Sequence, residues 1–158
     1  MEQCMHRQSF TDTTPCVGLC STVYGDQVCR GCKRFSQEII TWNALTQPQH
    51  AAVWQRLRQL LEPLLNERIE VLSALVLRQT LARLIPGLPE DMPVSLLAHR
   101  ALLRAVDAEA LTRMGLKLRA DHAEIPLKRV REELDKQFFA VSQAYYQRHV
   151  LPLGEQIN

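Results

Sequence analysis

The chain has no apolar run long enough to cross a bilayer. Its cleanest stretch, 71-VLSALVL-77, falls far short of the ~20 residues that a spanning helix needs. The opening MEQCMHRQSF lacks the apolar core of a secretory signal. The faint likeness of 17-VGLC-20 to a lipoprotein cleavage box has no hydrophobic stretch ahead of it. These absences predict a cytoplasmic protein whose thiols stay reduced, which argues against a disulfide clip.

Charge of one sign is also missing. Residues 1–62 hold 6 Lys/Arg against 5 Asp/Glu, residues 63–158 hold 13 against 12, and the net charge is +2. There is no basic arm and no acidic tail, so the sequence offers no electrostatic footprint for nucleic acid. Internal repeats, low-complexity tracts, phosphate loops, carboxylate dyads and nucleophile–base pairs are absent as well. The expectation is therefore a protein that is not an enzyme. The 46% apolar and 23% charged fractions are those of a globular chain, and 158 residues suffice for one domain or for a small module plus a helical body.

Helical signals dominate from residue 36 onward. Ser36 is a candidate N-cap with Glu38 in the first turn, ahead of Ile39, Ile40 and Trp42. Thr46 can cap a second helix that tolerates Pro48 in its first turn and carries Trp54, Leu57 and Leu61 on one side. Pro63 predicts a break or kink. From Leu64 to Ile85 the spacing of Leu65, Ile69, Leu72, Val76, Leu77, Leu81 and Leu84 predicts a helix. The run 86-PGLPEDMP-93 is a loop, a helix over 95–105 follows, and Asp107 caps a short one ended by Gly115. Leu127, Val130, Leu134, Phe138, Val141 and Tyr145 step by three and four along a last amphipathic helix. Its solvated face carries the pairs Lys128–Glu132 and Arg129–Glu133. No β-strand pattern is visible apart from possible two-residue pairings around the cysteines. The fold class expected is all-α: a small irregular four-cysteine module followed by a bundle of about five to six helices. The boundaries expected are a flexible tail over 1–14, the cysteine module with two short helices over 15–62, and a helical extension over 63–158.

What the sequence does concentrate is thiol. Four of its five cysteines fall within 16–32, in 15-PCVGLCSTVYGDQVCRGCKRF-35, with the spacing Cys16-x3-Cys20-x8-Cys29-x2-Cys32. That segment has no hydrophobic period, so its order must come from something other than a buried face. A C-x2-C pair lets two sulfurs converge on one metal, and Gly31 permits the tight turn between them. The eight-residue gap, with its Gly25-Asp26 turn, is long enough to bring the first pair across. Four thiolates at about 2.3 Å make a closed tetrahedral site for zinc, and the same four can hold an iron–sulfur cluster. Structural zinc sites more often show two C-x2-C knuckles, and the C-x3-C first pair leans towards a cluster. Arg30, Lys33 and Arg34 would offset thiolate charge, and metal binding would become folding energy. A closed site is structural or electron-transferring. A redox dithiol at Cys29 and Cys32 is a minor alternative, because no strand–helix pattern frames it.

At these residues the chain resembles the bacterial domain-of-unknown-function 1289 family over about residues 13–62. The motif consists of Pro15 before the first cysteine, Gly18 between the first pair, 29-CRGC-32, and then Trp42-Asn43 on a helix. Members of that family are described as predicted iron–sulfur proteins. The resemblance implies that Cys16, Cys20, Cys29 and Cys32 are the ligands. It implies no activity, and it leaves 63–158 as a long helical extension.

The remaining candidates carry plainer expectations. Cys4 and His6 are read as tail residues, with a spare ligand or resolving thiol as the alternative. Trp42 and Trp54 are expected to dock the module on the helices. His50, His99, His122 and His149 are expected at the surface or at caps, 121-DHAE-124 as solvated polar sequence, and Tyr145 and Tyr146 in packing or at a partner contact. The combined expectation is a non-enzymatic metal-binding protein, holding an iron–sulfur cluster or Zn2+, that acts as a redox, electron-transfer or protein-interaction module with an unidentified protein partner. The alternative is a zinc-ribbon-like nucleic-acid-binding or regulatory protein. It requires a contiguous basic surface joining Arg30, Lys33 and Arg34 to Arg56 and Arg58.

Overall fold

The computed structural model describes residues 8–154, so Cys4 and His6 lie outside the described residues. The chain is mainly helical. After a short α1 (Ser36–Ile40) comes the long α2 (Gln47–Asn66), then β1 (Ile69–Val71), α3 (Ala74–Leu84), α4 (Val94–Arg104), α5 (Ala108–Arg113), β2 (Leu116–Leu118) and α6 (Leu127–His149). Among the described residues, no helix is long and apolar enough to cross a membrane.

Several boundaries fall where local chemistry sets them. Glu38 accepts from the backbone N–H of Phe35, and Gln49 from that of Thr46, so α1 and α2 each start under a side-chain acceptor. Asp107 accepts from Ala110 N–H at the head of α5. Gly115 ends that helix with φ +89°, a conformation in which a side chain would be strained.

Two expectations are corrected. Pro63 does not break α2, which runs one more turn to Asn66. Proline near a helix end removes one donor, and the final turn closes around it with Glu67 N–H bonded to Pro63 C=O at 3.1 Å. The single helix expected over 64–85 is instead the end of α2, a strand, and α3. The strand pairs antiparallel with β2, Ile69 facing Leu118 and Val71 facing Leu116. Both N–H groups of Leu72 and Ser73 then land on Gly115 C=O, and Ser73 caps α3 through Val76 N–H. Ile69 is buried either way. What makes this piece a strand is a partner more than forty residues downstream, which no local period reveals.

The core lies between α2, α4 and α6, and α3, α5 and the strand pair close it. Leu57, Leu61 and Leu65 of α2 meet Leu97, Ala101 and Leu102 of α4 and Val130, Leu134 and Phe138 of α6. The 86–93 loop is braced rather than loose. Arg78 donates to the carbonyls of Glu90 and Met92 at 2.7 and 2.8 Å, and Met92 is fully buried. Part of the stretch read as a tail is also structured. Ser9 Oγ and Phe10 N–H both bond to Asp91, Phe10 packs edge-on to Trp54 at 5.7 Å, and Trp54 Nε1 donates to Thr13 C=O.

Candidate functional site: a cysteine knuckle seated on the last helix

Residues 27–36 fold back on themselves. Ser36 N–H bonds to Gln27 C=O, Cys29 N–H to Arg34 C=O, and Lys33 N–H to Cys29 C=O, all within 2.8–2.9 Å. Val28 and Phe35 form a single antiparallel bridge, the two-residue pairing foreseen near the cysteines. The CRGC sequence is the tip of this knuckle. The first cysteine segment lies directly against it. A Cβ at Gly31 would sit 2.4 Å from Leu19 O and 2.8 Å from a Val17 methyl. Ser21 Oγ accepts from Arg30 N–H at 2.8 Å.

The four thiols are unbridged and occupy different surroundings. Cys29 is buried, and its thiol donates to Leu19 C=O at 3.5 Å. Burial pushes the thiol up, but hydrogen bonds from the backbone of Cys32, Ser21 and Gly31, together with the Cys32 thiol, hold it at about 7. Cys32 is buried as well. Burial dominates and raises its thiol, although Arg34 Nε bonds to the sulfur at 3.3 Å and works in the other direction. Cys20 is half-buried and contacts Thr22 Oγ1 at 3.0 Å, while Cys16 is exposed and accepts from Gly18 N–H at 3.4 Å. Among the described residues, no three His, Cys, Asp or Glu side chains stand close enough together to hold a metal ion. The structure thus brings the Cys29 and Cys32 sulfurs together. It packs the Cys16–Cys20 segment against their turn without gathering all four sulfurs. The donor set, four thiols with a guanidinium on the Cys32 sulfur, fits a thiolate-held metal chemically.

Behind the knuckle lies Lys33, which its sequence position marks as a cation offsetting thiolate charge and which the fold puts to a further use. Lys33 is 1% exposed and holds φ at +62°. Its ammonium donates to the carbonyls of Arg30 and Gly31 and pairs with Asp135 of α6. A left-handed non-glycine residue needs such support. The ammonium satisfies the two carbonyls that the turn strands, and it ties that turn to the last helix. Aromatic contacts complete the seat. Arg30 lies over Phe139 and Lys33 over Phe138. Phe35 meets Tyr145 and Tyr146 at 6.3 and 5.0 Å, and Arg56, paired with Glu38, stacks on Phe35 at 3.8 Å. Trp42 lies between Arg34 and His50, at 4.8 and 4.1 Å. The wall that supports the module is therefore the extension's own α6.

These contacts also bear on the basic surface that nucleic-acid binding would need. Lys33 and Arg34 are buried, Arg56 pairs with Glu38, Arg58 with Glu62, and Arg30 with Asp26. The five cations do not form a free stripe.

The histidines are corrected in part. His50 is stacked on Trp42 and bonded to its carbonyl, and the half-buried His99 of α4 lines a cavity. Burial, helped by Lys33 and then Arg100 and opposed by Asp135, lowers His99 to about 4. An unfolded chain protonates this ring near 6.5, the folded one only near 4. Between those values the unfolded state holds more protons, so stability falls as pH drops through the window. The expected loss reaches about 3 kcal/mol by pH 4. Urea midpoints of wild type and His99→Gln, measured from pH 7 to 4, should converge on acidification as the wild type alone pays that cost. Parallel curves would contradict it.

The site is thus a Cys29–Cys32 knuckle, with the Cys16–Cys20 segment packed on its turn, seated on a helical body. Residues 14–61 match the model of the family described as "Protein of unknown function (DUF1289)". No curated protein and no solved structure matches the chain.

Proposed function

We propose that Cys16, Cys20, Cys29 and Cys32 hold a metal, an iron–sulfur cluster or zinc, and that the protein is a non-enzymatic redox, electron-transfer or protein-interaction module built around it. The observation that carries this reading is the packing of the Cys16–Cys20 segment on the CRGC turn, where Gly31 abuts Leu19 O and the buried Cys29 thiol, lowered to about 7, donates to the Leu19 carbonyl at 3.5 Å. Donors aimed at sulfur favour the thiolate, the form that ligates metal, and they set the potential of a cluster held there. Arg34 on the Cys32 sulfur serves the same end. When bound, the metal would supply the charge centre that draws the Cys16–Cys20 segment onto the knuckle. Val17, Leu19, Val23 and Tyr24 are 60–89% exposed around the first cysteines. An apolar fringe of that kind suits docking of a protein partner.

The test is anaerobic purification with iron, acid-labile sulfide, zinc and the visible spectrum measured on one sample, for the wild type and for Cys29→Ser/Cys32→Ser. Brown protein with iron and sulfide, lost in the variant, supports the cluster. Colourless protein with one zinc per chain, lost in the variant, supports zinc. Equal metal in both proteins, or none in either, defeats the proposal.

A further inference from the structure

A cavity of about 350 Å³ opens beside the cysteine module, between α2, α4 and α6. Its inner wall is hydrocarbon and aromatic: Leu57, Leu61, Leu96 and Phe138 line it. One edge is cationic, with Arg100 and Arg104 a turn apart on α4. No carboxylate lines it. Arg104 bonds only to the Arg100 carbonyl, and among the described residues neither guanidinium pairs with an acid. Three other arginines of the body are provided for. Arg56 has Glu38, Arg58 has Glu62, and Arg68 bonds to Leu64 C=O and Gln137. Two neighbouring guanidinium groups at the rim of an apolar hole leave positive charge without a counter-charge, at a place where ligand pockets of about 300–1,000 Å³ typically combine apolar walls with a few polar groups. Guanidinium forks match a carboxylate's two oxygens.

We propose that this cavity binds a small amphipathic anion: a hydrocarbon-bodied carboxylate whose chain fills the space between Leu57, Leu61, Leu96 and Phe138 and whose head lies against Arg100 and Arg104. The apolar wall supplies affinity by removing the chain from water, and the arginines select for the charged head. Cys16, Gly31 and Cys32 line its other side, so the site lies between the cysteine segment and the helical body, and all titrations use protein of the same measured metal content.

The experiment is calorimetric titration of the full chain, as purified, with sodium decanoate kept below its micelle-forming concentration, and with decan-1-ol and acetate. Trp54, which lines the cavity, serves as a fluorescent reporter. Saturable decanoate binding is expected, with acetate binding too weak to detect. Arg100→Gln/Arg104→Gln should weaken decanoate about tenfold or more and leave decan-1-ol nearly unchanged. Should the double variant melt early, Arg104→Glu at an exposed position carries the same comparison. The proposal is overturned by decanoate that does not saturate, by acetate binding as well as decanoate, or by decanoate affinity that ignores the arginines in a folded variant.

Discussion

Replacing Trp54 by alanine is expected to lower stability by about 3–5 kcal/mol, the usual cost of emptying a large aromatic site. The side chain is 5% exposed and belongs to the central core. It also reaches outward. Its indole N–H holds Thr13 C=O at 3.1 Å and its ring meets Phe10 edge-on. Removal therefore opens a hole under α2 and frees the approach to the first cysteine. In a chain of this size each kcal/mol moves the melting temperature by about 2–4 °C, so the transition should fall by about 10 °C or more. Trp54→Phe keeps a ring beside Phe10 and leaves Thr13 C=O without its donor, and it should cost only about 1–2 kcal/mol. A thermal melt of the two variants decides. A shift under about 2 °C for the alanine variant would show that the tryptophan is not a junction between module and body.

Gly31→Ala should also be costly, for a different reason. The added methyl would overlap the Leu19 carbonyl at 2.4 Å and a Val17 methyl at 2.8 Å, and the first of these is backbone and cannot rotate away. Relief requires the 17–20 segment to lift off the knuckle. Overpacking of this kind costs about 1–3 kcal/mol. It would also separate Cys16 and Cys20 from Cys29 and Cys32, so with the proposed four-thiolate site the variant should retain less metal per chain than wild type. Gly18→Ala is the control. Its φ of +88° makes a side chain strained, but open space surrounds it, so it should cost only about 1 kcal/mol. Metal analysis and melts on both variants test the pair. Equal behaviour of the two would mean that close contact at Gly31 does not hold the segments together.

Much of this molecule was readable along the chain, and the reason is local. Asp107 and Gly115 carry their cap chemistry in their own side chain or lack of one, Gln49 supplies that of α2, and α6 repeats its apolar residues over a long, uninterrupted stretch. The spacing of the cysteines marked the knuckle, and Gly31 marked its turn. What could not be read depends on partners distant in sequence. Ile69 looks helical until Leu118 is known to face it. Lys33 looks like a charge-offsetting surface residue until Asp135, 102 positions away, receives it. His99, Arg100 and Arg104 gave no pattern at all, because a cavity is a property of packed helices rather than of a motif. The left-handed backbone at Lys33 had no signal in composition, since glycine or asparagine is the residue usually found there.

The family segment ends at residue 61, while α2 continues to Asn66. The last apolar positions of that segment, Trp54, Leu57 and Leu61, are floor timbers of the other half's core. Severed at that point, the cysteine piece would carry a bare greasy helix into water and lose the α6 wall behind Lys33, Phe35 and Arg30. The two parts therefore cannot melt separately. Heat or denaturant should take the chain through one cooperative transition, with loss of order at the cysteines reported by the same curve as loss of helix, and a change deep in the bundle should be felt at the thiols.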